Sequence, residues 1–268
     1  MNETESTRLN TYNSTKSEVI SLILVILLAL AVRIFCIELF YVPTGSMKAT
    51  ILEGDYIFST KYDYGYSIYS MPFNPNIFKG RIFDCPPKRG DVIIMRPPHN
   101  MEQRYIKRLI GLPGDKIEIK NDLIYINDSP IERVEVGAYT SEDNIKYIKF
   151  RETLPNNVSY FSYKLKDQER IFNVDISNYG PKIVEKDRYF FLGDNRDNSG
   201  DSRYQLQTIN PRNFIAKGRF ILFSTKISLW DSSYSFFEQI TRIGDWISSI
   251  RFNRISSSLY ISKNNYDK

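Results

Sequence analysis

The 268-residue chain has the length of one ordinary domain, or of one domain with an appendage. With 42% hydrophobic, 14% aromatic and 25% charged residues it can build a sizeable core, which excludes wholesale disorder and fibrous repeats. Thirty-six basic against 31 acidic residues give a net charge of +5, spread out with none of the dense Lys/Arg runs of a nucleic-acid footprint. The two cysteines, Cys36 and Cys85, form no CxxC or Cys/His zinc spacing, and a disulfide framework is not expected. The single histidine, His99, excludes any two-histidine metal motif. No metal and no cofactor is expected.

Residues 1–17 form a polar tail rich in Asn, Ser, Thr and Glu. From Val19 to Val32 the chain carries no charge, and apolar character resumes as Ile34-Phe35-Cys36 after Arg33. Fourteen helical residues rise about 21 Å, short of a bilayer core of roughly 30 Å. A helix over residues 18–37 reaches that length if Arg33 extends to the headgroups. The run has no polar stripe, which argues against a buried soluble helix. Ala29-Leu30-Ala31 has the small-x-small spacing of a cleavable signal peptide, but the preceding segment is not basic and the apolar run continues past Ala31. An uncleaved transmembrane anchor is the expectation. Arg8 and Lys16 before it balance Arg33 and Lys48 after it, so charge does not decide its orientation.

Past the anchor the pattern turns to short β-type runs broken by Gly, Pro, Asn and Asp. Residues 55–60, 91–95, 105–110, 188–192 and 218–224 read as strands. Residues 116–120 and 123–127 flank Asn121-Asp122, a two-residue hairpin linker. Residues 64–88 read as a long loop. The weaker, more polar strand signals of 128–187 read as a β-rich insertion. Near the C-terminus, apolar residues at 236, 240, 243, 247 and 250 have helical spacing, most simply a helix packed on the barrel, with a membrane-surface role as the secondary reading. The expected fold is mainly β: one N-terminal transmembrane helix, then an antiparallel, barrel-like β domain over 38–127 and 188–268 with an inserted subdomain over 128–187.

Three segments carry more polar detail than a plain β domain requires. Val42-Pro43-Thr44-Gly45-Ser46-Met47 makes a tight turn that exposes a serine and its N–H, although its composition is that of an ordinary turn. Lys107, in Tyr105-Ile106-Lys107-Arg108-Leu109-Ile110, shares a strand face with Tyr105 and Leu109. It is either an edge lysine reaching solvent or a desolvated amine able to act as a base. Gly193-Asp194-Asn195-Arg196-Asp197-Asn198-Ser199-Gly200-Asp201-Ser202-Arg203 is dense in loop-bonding side chains. A calcium loop fits it poorly, because Leu206 stands where the twelfth-position Glu belongs and two arginines intervene. A rigid polar scaffold for a site fits better.

Together these segments, with Gly54-Asp55-Tyr56, Arg89-Gly90-Asp91-Val92 and Gly111-Leu112-Pro113-Gly114-Asp115 between them in order, resemble the bacterial type I signal peptidases. These are membrane-bound Ser-Lys proteases that remove signal peptides after Ala-x-Ala. The likeness runs from about residue 40 to 223, with 128–187 least matched. Ala49 stands where the family usually has Pro, and Ile51 where Leu is common, which touches packing beneath the turn rather than chemistry. The resemblance implies Ser46 as nucleophile and Lys107 as general base. It implies Ser199 as the hydroxyl orienting the amine, and Thr44 with the Ser46 N–H as oxyanion hole. Asp194 with Arg108, and Asp201 with Arg203, match supporting ion pairs. Phe40, Val42 and Ile106 match the lining of pockets for small residues. It further implies signal peptides of exported preproteins and the lipid bilayer as partners, with neither nucleic acid nor metal. The location implied is the bacterial inner membrane, with the tail cytoplasmic and the catalytic domain on the outer side. Two other readings are a self-cleaving Ser-Lys protease of the repressor type, which would be soluble with a DNA-binding module, and a non-enzymatic membrane-tethered β module.

Overall fold

The computed structural model describes residues 3–72, 74–75, 78–141, 143–166, 176–228 and 235–261, with side chains from residue 16 onward. Helix α1 spans Glu3–Phe35. Its stretch Lys16–Phe35 has a mean hydropathy of 2.6 and none of it is buried, so it is long and apolar enough to cross a membrane. The helix starts far upstream of the apolar run. No Pro or Gly interrupts residues 3–17, and a helix once nucleated propagates at little cost.

The last carbonyls of α1, which a helix leaves without internal partners, are taken up by the β domain. Lys61 Nζ donates to the Ile34 carbonyl at 3.3 Å and the Tyr66 hydroxyl to that of Phe35 at 2.7 Å. After Cys36 the chain enters β1 (Ile37–Tyr41), followed by β2 (Asp55–Thr60) and the short pair β3 (Tyr66–Ser67) and β4 (Arg81–Ile82). Strand β5 (Val92–Met95) and β6 (Tyr105–Gly111) form a hairpin, and so do β7 (Lys116–Lys120) and β8 (Leu123–Ile126). The latter turns through Asn121 and Asp122, both at positive φ (48° and 67°), as the sequence predicted.

The insertion follows as β9 (Ser129–Pro130), β10 (Glu132–Thr140), β11 (Lys146–Thr153), β12 (Ser159–Leu165) and β13 (Tyr179–Ile183). The chain then returns through β14 (Phe190–Leu192) and β15 (Phe214–Ser224). The main sheet has the order β1-β2-β15-β5-β6-β14, with all neighbours antiparallel. Three further sheets, β13-β7-β8-β9, β10-β11-β12 and β3-β4, complete the mainly β fold.

The main sheet is covered on both faces, which is why β5 reads as an unbroken apolar run rather than an alternating one. Val92 and Ile94 join a cluster with Phe40, Val42, Met47, Ile57 and Ile221. Ile93 and Met95 point the other way, onto Leu109, Phe191 and Phe214. Each such side chain fully buried contributes about 1.5–3 kcal/mol.

Two expectations need correction. Residues 37–41 form an edge strand of the main sheet, where the expected anchor ran through Ile37 with no strand there. The C-terminal apolar period is not one helix packed on the sheet. It folds as two short helices, α2 (Phe236–Thr241) and α3 (Ile243–Ser248), with Ile240, Ile243 and Ile247 at 48%, 43% and 52% exposure. Gly244, about 1 kcal/mol worse than Ala inside a helix, follows directly on the break. Contact with the sheet comes instead from Trp246, whose ring lies 5.5 Å from that of Phe223.

Candidate active site

Ser46 lies in a 310 turn, Gly45–Met47, that starts after Val42, Pro43 and Thr44 have followed β1. As the second residue of that turn its N–H has no partner within the helix and remains available. Met47 anchors the turn from below, being 1% exposed in the cluster with Phe40 and Val42. The 193–203 loop clamps it from the side. The Asn195 backbone N–H donates to the Ser46 carbonyl at 3.1 Å, and Asn195 Nδ2 to the Gly45 carbonyl at 3.0 Å. This approach requires glycine at 193. A Cβ there would fall 2.5 Å from the Ser46 carbonyl oxygen and 2.2 Å from Ser199 Oγ.

From β6, Lys107 reaches across with Nζ 2.5 Å from Ser46 Oγ. The lysine is 3% exposed. Burial pushes its pKa down to about 8, against the opposing pull of the Asp201 and Asp194 carboxylates. Of the two readings open from sequence, the desolvated amine is the one found. His99, by contrast, is exposed on its turn with Nε2 3.4 Å from the Tyr105 hydroxyl.

The walls are ion pairs. Arg108, fully buried, meets Asp194 bidentately, with Nε–Oδ1 at 2.9 Å and Nη2–Oδ2 at 2.6 Å. Thr50 Oγ1 donates to the same carboxylate at 2.6 Å. Arg203 holds Asp201 in the same fork, at 2.9 and 2.8 Å, while the Gly193 N–H adds a bond at 3.0 Å. Burial alone would raise the Asp201 pKa, but the Arg203 charge and hydrogen bonds, the Gly193 N–H and the Lys107 charge together hold the carboxyl below its ordinary value. Ser199 is buried beside the turn and its Oγ has no hydrogen-bond partner, Lys107 included. A buried hydroxyl left open at such a place is a reserve donor and acceptor.

A cleft of about 960 Å³ opens in front of Ser46, between β1 with its following turn on one side and residues 102–107 on the other. Both strands show it an unpaired edge. Among the described residues β1 pairs only with β2, and β14 covers β6 only from Arg108 onward. Phe40 and Val42 are buried in the floor with Ile106 packed on them, and Thr44 lines the rim. Among the described residues no three His, Cys, Asp or Glu side chains stand close enough to hold a metal ion.

Sequence reasoning missed the clamp by Asn195, although it quoted the residue within its motif. It also missed Glu152, which pairs with Arg196 in full burial and so ties the inserted sheet to the loop, helped by a Tyr163 N–H bond to the Asp194 carbonyl at 2.7 Å. Nothing in a polar stretch such as Phe150-Arg151-Glu152-Thr153 marks one carboxylate as buried.

A turn serine, a buried amine on it and an open-edged cleft suit a peptide-bond hydrolase, and the comparisons agree. The family model described as signal peptidase, peptidase S26, matches residues 16–223. Signal peptidase I of Rickettsia akari (strain Hartford) is 56% identical over 261 residues, covering 96% of this chain and 98% of that one. Signal peptidase I of Rickettsia massiliae (strain Mtu5) is 55% identical with the same coverage, and that of Rickettsia bellii (strain OSU 85-389) is 56% identical over 95% of this chain and 89% of its own. The protein is therefore a peptidase. It belongs to the signal peptidase S26 family, and the apolar α1 together with these relatives supports a membrane-anchored member.

Proposed function

We propose that this chain is a membrane-bound serine endopeptidase that cleaves N-terminal signal peptides from exported preproteins after small residues, through an acyl-enzyme on Ser46 with Lys107 as base. The observation that carries the reading is the 2.5 Å contact of a buried Lys107 amine with Ser46 Oγ. An ordinary lysine is neutral about four times in ten thousand at pH 7, whereas one with a pKa of about 8 is neutral roughly one time in ten. The neutral amine takes the Ser46 proton as Oγ attacks the scissile carbonyl. The Ser46 N–H and the Thr44 hydroxyl stabilise the oxyanion. Lys107 then passes its proton to the leaving amine, and a water, deprotonated by the neutral Lys107 amine so regenerated, releases the acyl group. Ser199 Oγ accepts from the ammonium while it is charged. Asp194–Arg108 and Asp201–Arg203 hold the walls.

The substrate adds as a strand between the open edges of β1 and β6, its small side chains facing Phe40, Val42 and Ile106. The polar tail lies in the cytoplasm and residues 38–127 with 188–268 form the catalytic unit on the outer side of the inner membrane, the 128–187 insertion being its buttress. Partners are signal peptides and the bilayer. The family match over residues 16–223 favours this over both the repressor-type protease and a non-enzymatic module. Purified Ser46→Ala and Lys107→Ala should each abolish processing of a preprotein while retaining the fold. Substantial cleavage by either would overturn the dyad.

A further inference from the structure

Beside the end of the cleft nearest α1, where Leu39 and Arg104 line it, lies a charged cluster. Glu38 lies two residues before Phe40 on the same face of β1, and it is held from two sides. Lys61 Nζ stands 2.9 Å from one carboxylate oxygen, and Arg104 Nη1 3.0 Å from the other. Lys61 is buried, and its amine is further engaged by the Ile34 carbonyl. Arg104 comes from the opposite wall, immediately before β6, and its guanidinium lies 5.1 Å from the centre of the Phe40 ring. Its side chain is 46% exposed, and among the described residues Glu38 is its one hydrogen-bonding partner. Of its five N–H donors most therefore remain open, and Arg104 lines the cleft. Two cations against one carboxylate leave a positive charge here. Arg96 is close enough for the Arg104 charge to act on it, and the exposed Glu102 lines the same wall.

We propose that Arg104 is a specificity-determining residue, forming a polar subsite that takes an acidic or hydroxyl-bearing substrate side chain five residues before the cut and disfavours a basic one. The inference rests on the signal-peptide reading above and extends it. In an extended strand, alternate side chains share a face about 6.6 Å apart. Where the residues at −1 and −3 face Val42 and Phe40, the residue at −5 faces Glu38 and Arg104. A carboxylate or hydroxyl there accepts from the open guanidinium donors, whereas an ammonium meets like charge.

The test uses the full-length enzyme in detergent micelles and peptides with Ala at −3 and −1 that differ only at −5, carrying Asp, Ser, Leu or Lys. The wild type should cleave the Asp peptide with kcat/KM about fivefold above the Lys peptide, and high salt should shrink that ratio. Arg104→Ala should flatten the series and Arg104→Glu invert it. Glu38→Gln, which keeps Arg104 and removes the negative charge, should widen the Asp-to-Lys ratio. Binding of the same peptides to Ser46→Ala, read by fluorescence anisotropy, should follow the same order without any chemistry. A flat wild-type series, or an Arg104→Ala series like the wild type, overturns the subsite and leaves the peptidase reading standing. No cleavage of any peptide by the wild type overturns that reading, and the subsite with it.

Discussion

Lys107 and His99 are the two side chains that could serve as base near neutral pH, and they differ in surroundings. Lys107 sits in the wall of the cleft with its pKa pushed down to about 8 by burial. His99 is exposed and bonded to Tyr105 rather than Ser46. Since the base works deprotonated, kcat/KM should rise with pH through an apparent pKa of about 8 and level off above it. His99→Ala should keep most of the activity and the same acid limb. A limb near 6.5 that vanishes in this variant would contradict lysine as base. At this scale the sequence was legible in part. Ser46 and Lys107 could be named from their motifs, but their meeting across 61 positions is a property of the fold. Likewise Arg104 is, in sequence, one more basic residue before a strand. Only the sheet brings it over Phe40.

The 193–203 loop acts as an element through two kinds of contact, which separate on mutation. Gly193→Ala places a methyl group 2.5 Å from the Ser46 carbonyl oxygen, so the turn must shift. Displacements of about 1 Å at a reacting group cost on the order of a hundredfold in rate. Processing should fall by about that factor with a modest loss of thermal stability. Asp194→Asn instead leaves the buried Arg108 charge without its counterion, a loss of roughly 3–5 kcal/mol. Its melting temperature should drop well below that of Gly193→Ala. Equal melting temperatures for the two would contradict this division of labour. Elements were legible where turn chemistry was explicit, as at Asn121-Asp122, and where β-branched residues clustered, as in β5 and β6. β1 was hidden because Ile37-Glu38-Leu39-Phe40-Tyr41 continues the apolar run of the anchor. The paired helices α2 and α3 were misread because apolar period alone does not say which face is covered.

For the whole molecule, the mainly β class with one apolar helix could be read from periodicity and length. Orientation could not, since basic residues balance on the two sides of the anchor. The proposed arrangement predicts that protease added to spheroplasts digests the domain after α1 and spares the tail. Protection until lysis would reverse it. The attachment of α1 to the sheet has a consequence for substrates. One residue separates Phe35 from β1, and Lys61 and Tyr66 fasten the helix end to the domain. In the proposed arrangement, with α1 in the bilayer, the strand that walls the cleft starts one residue from the membrane-crossing helix and acts as a ruler. Its five residues span about 17 Å at 3.3 Å each. On that proposal, a substrate entering from the same bilayer would have to cover that height in extended form before its scissile bond meets Ser46. Preproteins whose apolar segment ends fewer than about five residues before the cut are too short to measure up.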